Sequence, residues 1–190
     1  MNQSVAEAQN NVGVKYSNGK GVPQDHYRAV KLFRLAADQG LAAAQSNLGL
    51  MYISGEGVPK DRKEAVKWFR LAADQGLADA QSNLGLMYTS GEGVPEDRKE
   101  AMKWFRRAAD QGHAEAQYNL GVAYDNGQGI PEDHKKTLKW YRLAADQGYS
   151  SAQYNLGVMY RDGEEIPEDH KEAVNWFRLA ADQGLSLIHI

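Results

Sequence analysis

Three histidines, His26, His134 and His170, recur at one position of a regular pattern, and histidine is a frequent metal ligand. Equivalent positions on stacked helical units lie about one helix-packing distance apart, ~10 Å. Ligands approach a zinc ion at ~2 Å, so one shared ion does not fit and these residues read as surface histidines. The stretch "GEGVP" resembles the opening of a dinucleotide-binding turn. It follows a helical pattern, however, and lacks the preceding strand and the third glycine. "SNGKG" fails as a phosphate loop for the same contextual reason, and "DNGQG" lacks the acidic spacing of a calcium loop. Five Asp-Gln-Gly triplets bring carboxylates, but their even placement suits helix ends better than acid–base catalysis. The chain has no cysteine, hence no thiolate nucleophile, no disulfide and no cysteine-based zinc site. No unit adds a nucleophile–base pair of its own. No catalytic residue, metal site or cofactor is therefore expected.

The elements behind these residues are helices in a repeat. Nine residues, "AQSNLGLMY" at 44–52, return unchanged at 80–88, and the 36-residue period runs through the chain. Five units cover 5–40, 41–76, 77–112, 113–148 and 149–184, so that residues 1–184 read as one domain. Gln9, Gln45, Gln81, Gln117 and Gln153 share one position; Gly13, Gly49, Gly85, Gly121 and Gly157 share another. A proline, from Pro23 to Pro167, marks the middle of each unit, and "AADQG" closes it.

Each unit reads as two helices. In the second unit a first helix is expected over 42–53, with Ala44, Leu48, Met51 and Tyr52 on one stripe. "SGEGVP" breaks it: Gly55 and Gly57 permit positive φ, and Pro59 suits the first turn of the next helix. Asp61 places a negative charge at that helix's positive end. The second helix is expected over 60–74 with Ala65, Trp68, Phe69, Ala72 and Ala73 inward, ended by Gly76. Gly49 and Ala65 predict a close backbone approach flanked by Trp68 and Tyr52. One such hairpin cannot bury its aromatic face alone, whereas stacked neighbours can.

The composition agrees with a folded chain: 190 residues, 42% hydrophobic and 25% charged. A net charge of -3 without a clustered basic face gives no nucleic-acid footprint. No apolar run approaches the ~20 residues that span a bilayer, so no membrane insertion is expected. "MNQSVAEAQN" lacks the basic region and apolar core of a secretory signal. The compartment stays open between the cytoplasm and, with an incomplete N-terminus, the periplasm or exterior.

The pattern A-x-A-Q-x-N-L-G-x-x-Y, then G-x-G-V-P-x-D, then K-x-A-x-x-W-F-R-x-A-A-x-Q-G stands entire in residues 42–76. It strongly resembles Sel1-like repeats, relatives of the tetratricopeptide repeat. The resemblance implies an all-α, right-handed α-solenoid of five stacked helix-turn-helix repeats. It also implies a scaffold or adaptor role in protein complexes, often bacterial. The departures are specific. Lys15 stands where Met51, Met87 and Met159 stand, which suits a capping first unit. Glu165 replaces the glycine of the other units, and Thr137 replaces an inward alanine. Residues 185–190, "LSLIHI", belong to no unit. They look like a translated transposon-end sequencing adapter and read as a non-native tail, with the natural array expected to continue past residue 184.

Comparison of the units separates scaffold from freedom. Four first-helix places vary most: Glu7, Ala43, Asp79, Glu115, Ser151; Asn10, Ser46, Ser82, Tyr118, Tyr154; Val14, Leu50, Leu86, Val122, Val158; and Ser17, Ile53, Thr89, Asp125, Arg161. Spaced i, i+3, i+7 and i+10, they share one helical face. In the related solenoids first helices line the concave groove, which makes this stripe the expected surface for a peptide or protein partner. Tyr118 and Tyr154 would sit side by side as anchors, tyrosine being favoured at interface hot spots. A different class of function is hydrolysis: some cysteine-rich relatives are described as penicillin-binding or β-lactamase-like, and this chain has none of their cysteines. Trp176 and Phe177, with little chain after them, also suggest end-to-end self-association through the uncapped last unit.

Overall fold

The computed structural model describes residues 3–163 and 166–183. Among them are ten helices and no strand: α1 (Gln3–Asn18), α2 (His26–Asp38), α3 (Ala42–Ser54), α4 (Arg62–Asp74), α5 (Ala78–Ser90), α6 (Arg98–Asp110), α7 (Ala114–Asn126), α8 (His134–Asp146), α9 (Ser150–Asp162) and α10 (His170–Asp182). Odd-numbered elements are the first helices and even-numbered ones the second helices, so the fold is the all-α helix-hairpin repeat expected. The chain divides into two compact units, Met1–Asp97 and Arg98–Ile190. In the first, α1 to α5 each pack on their chain neighbours; in the second, α6 to α10 do the same.

Local chemistry sets the boundaries. Asp61 caps α4: its carboxylate accepts from the backbone N–H groups of Lys63 and Glu64 at 3.0 and 3.1 Å. The helix therefore begins at Arg62, and Pro59 and Lys60 belong to the loop rather than to the first helical turn. The loop is closed from both sides. The Asp61 backbone N–H donates to the Tyr52 carbonyl at 3.0 Å, a bond that Asp25, Asp97, Asp133 and Asp169 repeat on Tyr16, Tyr88, Tyr124 and Tyr160. Gly57, at φ 71°, abuts the start of α2 so closely that a Cβ would lie 2.3 Å from the His26 carbonyl oxygen. The same loop position in the second unit, Gly129, meets the Arg98 carbonyl group at 2.7 Å.

Inside a hairpin the aromatic ring over the first-helix glycine is Phe69 rather than Trp68. A Cβ on Gly49 would stand 2.6 Å from the Phe69 ring, and Phe69 is 1% exposed. Gly13, Gly121 and Gly157 sit in the same way under Phe33, Tyr141 and Phe177. Trp68 is half-buried, and Val66 joins Ala65, Phe69, Ala72 and Ala73 in the core. Thr137, fully buried, settles its hydroxyl by donating to the Asp133 carbonyl at 3.2 Å. Lys15 is exposed. Glu165 and the 185–190 stretch lie outside the described residues.

Successive repeats are joined by glutamine. The Gln45 amide donates to the Ala37 carbonyl at the end of α2, 3.3 Å away. Gln81 does so to Ala73 at 3.1 Å, Gln117 to Ala109 at 3.2 Å and Gln153 to Ala145 at 3.1 Å. A helix C-terminus leaves its last carbonyls without intrahelical partners, and this side chain supplies one. A second rung joins a second helix to the next first helix: Arg34 donates to the Tyr52 hydroxyl, Arg70 to that of Tyr88, and Arg142 to that of Tyr160 at 3.3 Å.

Candidate functional site

The variable first-helix stripe is split by burial. In the unit Met1–Asp97, the second place is closed: Asn10, Ser46 and Ser82 are all buried. Asn10 accepts from the Asn47 side chain at 2.9 Å, between α1 and α3. The Ser82 hydroxyl has no hydrogen-bond partner. These three side chains pack between helices and do not face outward as the shared-face spacing implied. The spacing places residues on one side of the helix but does not fix how deeply each is buried there.

The third place is open. Val14, Leu50 and Leu86 are exposed, Leu50 at 43%. Ser17, Ile53 and Thr89 beside them are half-buried, and Asp79 is exposed. The Thr89 hydroxyl is turned back to the Gly85 carbonyl at 3.0 Å. Val14, Ser17 and Leu50, with Phe33, Asn47 and Met51, line a hollow of about 260 Å³ between α1 and α3. Leucine and valine at its mouth and asparagine and serine at its wall suit an aliphatic side chain carried on a polar backbone.

In the unit Arg98–Ile190 the second place holds tyrosine. Tyr118 stacks on Tyr141 with centroids 5.8 Å apart and meets Tyr149 at 5.1 Å. Tyr154 meets Phe177 at 5.5 Å. Each ring is thus half-buried against second-helix and capping aromatics. Burial pushes the Tyr118 phenol above its ordinary value, and its hydrogen bond to Asn155 opposes that. Tyr141 is raised further, also chiefly by burial, and the Tyr149 phenol is raised by burial with the Glu115 carboxylate nearby. Glu115, Val122, Asp125, Ser151 and Val158 are half-buried, and Arg161 is exposed. Arg161 is bidentate with Asp162 at 2.6 and 3.0 Å, which holds the Asp162 carboxyl below its usual range.

Two larger hollows lie on second helices, where the sequence reading placed nothing. One, about 500 Å³, is bounded by Tyr27, Val30, Arg34, Leu35, Val58 and Pro59. Its counterpart in the other unit, about 440 Å³, is bounded by Lys99, Met102, Arg106, Tyr124 and Ile130. A signal was present: Tyr27 stands where the later repeats have Lys63, Lys99, Lys135 and Lys171.

The histidines pair locally. His26 lies 3.7 Å from the Glu56 carboxylate, His134 3.9 Å from Asp125, and His170 2.6 Å from Glu168. Among the described residues no group of three or more potential ligands converges, and no helix is long and apolar enough to cross a membrane. A Ser-x-x-Lys spacing of the kind used by serine hydrolases occurs at Ser17–Lys20. There α1 ends at Asn18 and Gly19 turns at φ 67°, so the lysine leaves the helical turn that would bring it back to the serine.

The geometry has close counterparts. The Sel1 repeat model matches five times, at residues 6–41, 42–77, 78–113, 114–149 and 150–185. A search of curated proteins finds no match. Among solved structures, the chain resembles c5321, a protective antigen of uropathogenic Escherichia coli strains with an SLR fold, at 39% identity and a TM-score of 0.89. That match covers 96% of this chain and 39% of the antigen, so the chain spans well under half of that relative's length. A Sel1 repeat protein from Oxalobacter formigenes is 38% identical with a TM-score of 0.90, covering 96% of this chain and 72% of the other. The immunity protein Pa5087 of Pseudomonas aeruginosa, at 22% identity and a TM-score of 0.64, covers 94% and 66% respectively and shares the fold. With the repeat model matched from residue 6 to residue 185, this chain belongs to the Sel1 repeat family.

Proposed function

We propose that the chain is an interaction module that takes a peptide or protein segment along the first-helix stripe. Sel1 repeats are in general protein–protein interaction modules. The observation that carries the reading to particular residues is the hollow between α1 and α3, with exposed Val14 and Leu50 at its mouth. An aliphatic side chain of the partner would fill it, and the asparagine and serine walls would meet its backbone. In the unit Arg98–Ile190, taken by itself, Val122, Val158 and Arg161 hold the matching places of the stripe, with Tyr118 and Tyr154 beside them. Within the unit Met1–Asp97, the Asp79 carboxylate would favour a partner with a basic residue flanking its apolar anchor.

Leu50 is the test residue, because a change at Tyr118 disturbs hairpin packing as well. A displayed library of random peptides, selected on the purified protein, is expected to yield binders with an aliphatic anchor. Those binders should lose affinity for Leu50→Arg and keep it for Leu71→Arg, which alters an equally exposed leucine on α4. Binders indifferent to Leu50→Arg would reject the groove.

The module is further proposed to be without catalysis and to unfold as one domain over residues 1–184. Turnover of a chromogenic β-lactam above background by purified protein would overturn the first statement. Two resolved denaturant transitions would overturn the second.

A further inference from the structure

The first repeat departs from the others at two neighbouring positions of α2. Tyr27 stands where Lys63, Lys99, Lys135 and Lys171 stand. Arg28 stands where three repeats have Glu64, Glu100 and Glu172 and the fourth has Lys136. That glutamate serves a lysine one turn on: Lys67 pairs with Glu64, and Lys103 with Glu100 at 2.7 Å. In α2 the equivalent lysine, Lys31, has lost its carboxylate. Arg28 turns to Asp25 at 3.2 Å and to the Tyr16 ring at 5.5 Å, while Lys31 lies over the Tyr27 ring at 4.6 Å. A cation that is neutralised in two other repeats is thus left uncompensated here, beside an added aromatic ring.

Both changes border the hollow of about 500 Å³ between α2 and the 57–59 loop, a volume in the range of ligand pockets. Val30, 6% exposed, lies at its base, with Val58 half-buried beside it. Tyr27 and Leu35, 61% and 52% exposed, stand at its mouth. The loop side is held in place, because Gly57 abuts the His26 carbonyl. Arg34, one turn beyond Lys31, adds a second cation, its guanidinium donating to the Tyr52 hydroxyl. One carboxylate, Asp38, borders the far end, a turn beyond Arg34. The hollow therefore joins apolar walls to a cationic middle and an acidic end. Its counterpart at Lys99 lacks both distinguishing features: no ring stands there, Lys103 is paired with Glu100, and Arg106 lies 3.5 Å from Asp110.

We propose that this hollow docks an acidic peptide segment of a partner protein, anchored by one aromatic side chain with carboxylates on one side of it. The aromatic ring enters between Leu35 and Val58 and packs on Tyr27 in an offset or tilted arrangement. The carboxylates meet Lys31 and Arg34 as charge-assisted hydrogen bonds, and uncharged residues pass Asp38. A net charge of -3 gives the chain no general attraction for an acidic peptide, so the attraction is local to this rim. The site is built from a second helix and the following loop, shares no lining residue with the hollow of Val14 and Leu50, and does not rest on that groove's function.

The end-blocked peptide Glu-Glu-Phe-Gly-Gly is the probe, titrated into the isotope-labelled full chain and followed by backbone amide shifts in NMR. Saturable shifts are expected at Tyr27, Val30, Gly57 and Val58. Affinity should fall about tenfold for Glu-Glu-Ala-Gly-Gly, which lacks the ring, and about threefold for Gln-Gln-Phe-Gly-Gly, which lacks the charges. Arg28→Glu restores the glutamate of the other repeats and should weaken binding about threefold, and Lys31→Glu about tenfold. Leu50→Arg should leave the affinity unchanged, which separates this site from the first-helix groove. Arg28 and Lys31 are exposed, so both variants should keep the remaining amide spectrum; if Lys31→Glu does not, Lys31→Gln takes its place. The absence of saturable shifts at these amides would overturn the proposal. So would equal affinity for the glutamine peptide, or binding lost in Leu50→Arg and kept in Lys31→Glu. Shifts of the same amides with protein concentration alone would mean that a second copy fills the hollow, and would overturn it as well.

Discussion

Gln45 bridges two repeats: its amide donates to the Ala37 carbonyl at 3.3 Å while its oxygen accepts from Gln75 at 2.7 Å. One side chain, 5% exposed, thus satisfies the end of the preceding helix and the end of its own hairpin. The sequence showed this glutamine only as a recurring letter; the joint between repeats explains why the letter recurs.

Replacing Gln45 with leucine should cost about 1–3 kcal/mol in urea unfolding, since two part-buried hydrogen bonds are lost: the Ala37 carbonyl keeps only backbone donors such as the Gly40 N–H at 2.9 Å, and the Gln75 amide loses its acceptor. Gln45→Glu should cost more at neutral pH, because a carboxylate would face the Ala37 carbonyl oxygen. The gap between the two variants should narrow as the pH falls and the glutamate regains a proton to donate. An unchanged midpoint for the leucine variant would remove the glutamine rung from the account of stacking.

Gly49→Ala should destabilise by about 1–3 kcal/mol, because the added methyl meets the buried Phe69 ring. Combining it with Phe69→Leu should cost less than the two single changes summed, as expected for residues in direct contact. Strict additivity in that cycle would contradict the packing described.

Asp61→Ala should lower stability by about 0.5–2 kcal/mol through loss of the α4 cap, and Asp61→Asn should be close to neutral. The comparison is informative because Asp61 is exposed, so burial contributes little to the difference.

The tyrosine cluster makes stability fall at high pH. Burial raises the Tyr118 phenol above the ordinary 10, so the folded state holds a proton that the unfolded chain releases. Its contribution is fully present below about pH 10 and is lost as the pH climbs through the raised value. Tyr141 acts in the same direction. Urea midpoints measured on the alkaline side should therefore drop for the wild type and flatten for Tyr118→Phe combined with Tyr141→Phe. Parallel curves would mean that these phenols ionise as freely in the fold as outside it.

Much of the fold was legible in the letters. The 36-residue period, the Gly-x-Gly-Val-Pro break and the closing Ala-Ala-Asp-Gln-Gly placed helix boundaries within two residues, as at Ala42–Ser54 and Arg62–Asp74. Those signals are local: caps, turns and helical spacing act within a few residues of one another. The candidate site was less legible. Leu50 was read as part of a face and is exposed at a hollow, but Ser46, four residues earlier on that face, is buried.

Helix pairing and its period were determined by the sequence alone, because they depend on propensities and capping that each short stretch carries with it. Which ring covers Gly49, which glutamine closes which helix, and whether a variable residue meets solvent or a neighbour were decided only by tertiary structure. Those outcomes depend on how close two helices approach, and an ångström of approach separates a buried serine from one that a partner can touch.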